Sequence, residues 1–135
     1  MLFTKVGTVI LLVLDMDRST RFYKDVLELP IKTKSSDWVE FFARDTTIAL
    51  HPVKNRSKTI KPGSGGVLVG FMVSDLESTV KALKEKNVKF FKELKNESFG
   101  KHAIIEDPDG YLISIAEMKS KPAEEFDLLG LLGAE

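Results

Sequence analysis

From Val6 to Leu14 the chain is almost continuously β-branched or leucine, the pattern of a strand buried on both faces. The period then changes. In "DMDRSTRFYKDVLELP" Met16, Thr20, Tyr23 and Leu27 recur at helical spacing, Asp15 or Asp17 can cap the first turn, and Pro30 ends it. Three short β-rich runs follow, "IKTKS", "WVEFFA" and "TTIALHPV", separated by polar turns. "KNRSKTIKPGSGG" reads as a connecting loop, its Gly and Pro punctuating a polar stretch.

Beyond the loop the order begins again. "VLVGFMVSD" predicts a strand ending in Asp, and "LESTVKALKEKN" a helix with Leu76, Val80 and Leu83 as its apolar stripe. Strands over "VKFFKEL", "HAIIED" and "YLISIAEM" complete the second half. Aligning Asp15-Met16 with Asp75-Leu76 also sets Ser19-Thr20 against Thr79-Val80, so the chain reads as two β-α-β-β-β units. Asp107-Pro108-Asp109-Gly110 supplies what a tight turn needs. Asp can bond back to the main chain, Pro presets φ, and Gly accepts a positive φ. A hairpin between the last two strands is expected there.

Length and composition narrow the function. At 135 residues the chain fits one domain that buries roughly two thirds of its unfolded surface without a staple. Twenty basic and twenty acidic residues leave no net field for a phosphate backbone or an anionic membrane surface, so neither nucleic acid nor membrane is an expected partner. The absence of cysteine removes disulfides, thiolate metal sites and cysteine nucleophiles, and is compatible with the cytoplasm. "VGTVILLVLD" is too short to span a bilayer, is closed by Asp15 and Asp17, and reads as a buried strand.

Taken in order, the strand ending in Asp, the helix with "FYKDVLELP", the duplicated unit and the late "EDPDGYLISIAE" resemble the vicinal oxygen chelate superfamily. That superfamily includes glyoxalase I, bleomycin- and fosfomycin-resistance proteins, extradiol dioxygenases and methylmalonyl-CoA epimerases. The resemblance covers residues 5 to 118. It implies an α+β fold, a curved eight-stranded mixed sheet cupped around a ligand cavity. The organisation expected is a single domain over 1–135, with repeat one at 5–53, a linker at 54–66, repeat two at 67–118 and a tail at 119–135.

In metal-dependent members the cup holds one divalent ion on ligands from both repeats. Here the corresponding positions fall on Thr8, Ala49, Val69 (counted back from Asp75) and Ser114, and no residue beside them is a better donor. The resemblance therefore implies a member lacking the usual ligands. Strand alternation predicts a wall of Thr8, Ile10 and Leu12; Thr47, Ala49 and His51; Val69, Phe71 and Val73; and Leu112, Ser114 and Ala116.

The function expected is metal-independent binding of a small, partly aromatic molecule, with no cofactor and no assigned catalytic residue. Thr8, Trp38, His51, Phe71, His102 and Ser114 are the expected contacts. Of the aromatic surplus Trp38, Phe41, Phe42, Phe90, Phe91 and Phe99, one member of each Phe doublet must face away from the helices. The competing reading is a glyoxalase-like lyase or isomerase, or a dioxygenase, with a rearranged metal or acid-base site around His51 that draws on Glu40, Glu106 or His102. A third is a dimer module whose cavity is filled by its own side chains. Lys54, Arg56, Lys58 and Lys61 read as a solvated loop or a lid. The tail, with Phe126, Leu128, Leu129, Leu131 and Leu132, predicts a short docking helix, and the resemblance implies a homodimer.

Overall fold

Among the described residues, two aspartates each start a helix. In a computed structural model of the chain, which describes residues 2, 7–43, 45–55 and 68–119, Asp15 and Asp75 are the N-caps. Each carboxylate accepts a hydrogen bond from the backbone N–H three residues on, Arg18 at 3.0 Å and Ser78 at 3.2 Å. The expectation that Asp17 could serve instead gives way to Asp15.

The first unit, Met1–Lys61, runs β1 (Thr8–Val13), α1 (Met16–Arg21), β2 (Ile31–Lys34), β3 (Val39–Ala43) and β4 (Thr46–Pro52). α1 continues into a wider π-helical turn over Phe22–Val26. Asp15 to the left-handed Glu28 is 13 positions, whereas Asp75 to the left-handed Asn87 is 12. The extra residue is the kind that a π turn absorbs. The sheet order is β1-β4-β3-β2, with β1 parallel to β4 and the other pairs antiparallel.

One face of this sheet lies under α1. Leu11, Val13, Val39, Phe41, Ile48 and Leu50 are buried, and the Tyr23 ring packs 6.0 Å from that of Phe41. Burial of a side chain such as Phe41 contributes about 2–3 kcal/mol. The doublet divides as alternation requires: Phe41 is 0% exposed and Phe42 44%.

The second unit, Pro62–Glu135, contains β5 (Val69–Met72), α2 (Leu76–Glu85), β6 (Lys89–Glu97), β7 (Gly100–Glu106) and β8 (Leu112–Met118), with sheet order β5-β8-β7-β6. Leu76, Val80 and Leu83 are the buried stripe of α2. The Leu76 N–H donates to the Glu117 carboxylate at 2.8 Å, and Lys101 pairs with Glu77. These contacts tie α2 to the face that carries Ala103, Ile105, Ile113 and Ile115. The turn into β8 is as expected: Asp107 Oδ1 accepts from the N–H groups of Asp109 and Tyr111, both at 2.9 Å, and Gly110 has φ 94°.

The α+β fold with two β-α-β-β-β repeats is present. Its eight strands form two four-stranded mixed sheets, one per repeat, and each repeat pairs its own first and last strands in parallel. The tail helix and the residues Arg56, Lys58 and Lys61 lie outside the described residues. No helix among the described residues is long and apolar enough to cross a membrane.

Candidate functional site

The chemistry in the first unit gathers on the face away from α1. Register places Thr8 beside Thr47, Ala49 beside Glu40, and Thr47 beside Phe42. The Thr8 and Thr47 hydroxyls lie 2.8 Å apart, and Thr47 Oγ1 is also 3.2 Å from the Gly7 carbonyl oxygen. Part of this face is buried, with Ala49 at 0% and Thr47 at 7%, while Ile10 and Phe42 are exposed.

A turn at Ser35–Trp38 sets the rest. The Ser35 N–H donates to the Trp38 carbonyl at 2.8 Å, and its hydroxyl donates to Asp37 Oδ1 at 3.1 Å. Trp38 then points its Nε1–H at Glu40 Oε1, 3.2 Å away, with its ring 6.3 Å from that of His51. His51 Nδ1 lies 3.0 Å from the Asp37 carbonyl. A carbonyl only accepts, so Nδ1 carries the proton, and Nε2 is the acceptor of the neutral ring.

Glu40 is at the centre. Its side chain is 12% exposed, and Lys32 Nζ stands 3.7 Å from Oε2. Hydrogen bonds from Thr47 and Trp38, with Lys32 nearby, hold its carboxyl below the ordinary carboxylate range. Lys32 was not among the expected contacts. A bulge between Ile31 and Thr33 sets Lys32 and Thr33 together against Glu40, and pairing "IKTK" with "VEFF" in one hairpin is the signal that could have found it.

In the second unit His102 Nε2 lies 2.6 Å from the Ser114 hydroxyl, and the Phe99 ring meets the imidazole edge-on at 6.0 Å. Ser114 is 7% exposed. Burial pushes the His102 pKa down, which favours the uncharged ring. His102 is thus the third residue of β7, facing Ser114 and Ala116, rather than a strand-start residue.

Thr8, Trp38 and His51 thus share one face of the first sheet, and His102 and Ser114 one face of the second. Phe71 does not join the latter. It pairs with Ile115 and Val69 pairs with Ile113, on the face that α2 covers, while Gly70 and Met72 pair with Ser114 and Ala116. The wall of Val69, Phe71 and Val73 is therefore one residue out of register. The two N-caps are 60 positions apart, which carries Thr8 to Leu68 and the distal face to Leu68, Gly70 and Met72.

Residues 6–120 match the family model for the glyoxalase-like domain. The chain belongs to the glyoxalase-like family. No curated protein matches it in sequence. Many solved structures share its fold, among them the following three. TnmS3, an antibiotic-binding protein from Streptomyces sp. CB03234, is 22% identical with a TM-score of 0.71, over 88% of this chain and 99% of its own. A member of the glyoxalase/bleomycin resistance protein/dioxygenase superfamily from Sphaerobacter thermophilus DSM 20745 is 21% identical with a TM-score of 0.67, over 87% and 99%. A glyoxalase-related enzyme from Fulvimarina pelagi is 15% identical with a TM-score of 0.73, over 93% and 96%.

The metal ion that metal-dependent relatives use does not fit these residues. Thr8, Ala49 and Ser114 stand at three of the corresponding positions, and Gly70 and Leu68 flank the fourth. Glu40, the carboxylate cross-strand to Ala49, has one oxygen committed to the Trp38 indole N–H. Among the described residues no three His, Asp or Glu side chains are grouped to hold an ion.

Proposed function

We propose that this glyoxalase-like protein binds a small, partly aromatic organic molecule without using a metal ion. The observation that carries the reading is the donor set. Where the fold would need imidazole and carboxylate, it has Thr8, Ala49 and Ser114, with Gly70 and Met72 beside Ser114. Such a surface recognises a guest by shape, ring contact and a few hydrogen bonds.

On the first sheet Trp38 offers a ring, Thr8 a hydroxyl and His51 an imidazole; on the second, Ser114 offers a hydroxyl and His102 an imidazole. That TnmS3 is an antibiotic-binding protein supports the same class of role. The homodimer and the cytoplasmic location implied by family resemblance and composition are part of the proposal, and sedimentation of the purified chain tests the first.

Trp38 is the only tryptophan, so its emission reports the site directly. A panel of planar aromatic compounds and antibiotics, titrated with and without a chelator, should yield at least one saturable change that the chelator leaves intact. Loss of every response on chelation would overturn the metal-free reading and favour a rearranged site at His51.

A further inference from the structure

We propose, building on the small-molecule reading above, that the helix-distal face of the first sheet takes an organic ammonium group carried on a planar ring, with Glu40 as its counter-charge.

The protein's own ammonium marks the place. Lys32 Nζ lies 3.7 Å from Glu40 Oε2 and 5.8 Å from the centre of the Phe42 ring, so a cation rests between a carboxylate and an aromatic ring. That is the chemistry by which proteins recognise organic cations. Yet Lys32 is a weakly fixed occupant. Its side chain is 44% exposed, and the 3.7 Å separation is longer than a hydrogen bond. Its long stem can swing into water with little loss, as for most exposed ion pairs.

Glu40 is the opposite kind of partner. It is 12% exposed, one oxygen is fixed by the Trp38 indole N–H, and its cross-strand neighbour is Ala49, whose side chain is a single methyl group. Trp38 adds a flat apolar surface beside the charge. A ligand that joins an ammonium to a ring satisfies both at once, which Lys32 cannot do. The exposed faces of Phe42 and Ile10 extend the apolar rim for the rest of such a molecule.

Three probes of one shape separate the possibilities: 1-naphthylmethylamine, 1-naphthylmethanol and 1-naphthoate. The Trp38 indole N–H resonance, a single signal, is followed in each titration. The ammonium should shift it and bind about tenfold more tightly than the alcohol, with the carboxylate weakest. Glu40→Gln, close in shape, should remove that preference while leaving alcohol binding. Lys32→Met, which removes the competing cation, should tighten ammonium binding. Equal or tighter binding of the alcohol, or a preference that survives Glu40→Gln, would overturn the cation site and leave the small-molecule reading standing. Failure of all three probes, and of the aromatic panel above, would remove both.

Discussion

Nε2 of His102 and the hydroxyl of Ser114 meet at 2.6 Å between neighbouring strands β7 and β8, a polar pair within a largely apolar sheet face. Burial depresses the imidazole pKa, Lys92 adds to this, and Glu97 opposes it. The unfolded chain takes up the proton near the ordinary 6.5, and the folded chain only at lower pH. This contribution to stability is therefore complete above 6.5 and declines as pH falls toward the folded value. Urea unfolding between neutral pH and about pH 5 should show that decline, and His102→Gln should flatten it. Ser114→Ala, which takes away the partner of Nε2, should cost about 1 kcal/mol at neutral pH.

Gly100 opens β7 with φ 149°, and a Cβ there would strike the Glu117 carbonyl oxygen and come within 2.7 Å of the Lys119 nitrogen. Both obstacles are backbone. Gly100→Ala should destabilise the protein by about 2–3 kcal/mol, read as a lower denaturant midpoint at unchanged slope.

Phe41 and Phe42 are chain neighbours with opposite duties. Phe41 is fully buried beside Tyr23, so Phe41→Ala should cost about 3–5 kcal/mol. Phe42 is 44% exposed on the face of Glu40, so Phe42→Ala should change stability by less than about 1 kcal/mol while weakening any ligand that contacts this face. Thermal unfolding and ligand titration of the two variants check the contrast.

Trp38 is half-buried, and its N–H is committed to Glu40. Trp38→Leu keeps an apolar side chain but removes the flat ring and the donor. Affinity for an aromatic ligand should fall about tenfold, with the melting temperature nearly unchanged. Calorimetric titration measures the first and a thermal scan the second.

Much of the fold was legible because each of its signals has a local cause. Asp15 and Asp75 cap because a short carboxylate reaches the first helical N–H groups, and the Asp107 turn follows from the same side-chain chemistry. The face of β5 was not legible from its own letters. Val69, Gly70, Phe71 and Met72 contain no charged or hydrogen-bonding side chain, so alternation has nothing to mark inside from outside. The cap spacing would have fixed it, placing Gly70 and Met72 beside Ser114 and Ala116. The contacts that define the first sheet's site were harder. Lys32 meets Glu40 through a bulge, and His51 is oriented by the main-chain carbonyl of Asp37, which no side-chain pattern announces.

The most direct measurement is the metal content of the purified chain after exposure to nickel, zinc, manganese or iron and removal of free ions. With Thr8, Ala49 and Ser114 in place of imidazole and carboxylate donors, the account predicts no stoichiometric retention of any of the four. One ion per chain, retained by the native protein and lost in His51→Ala, would contradict it.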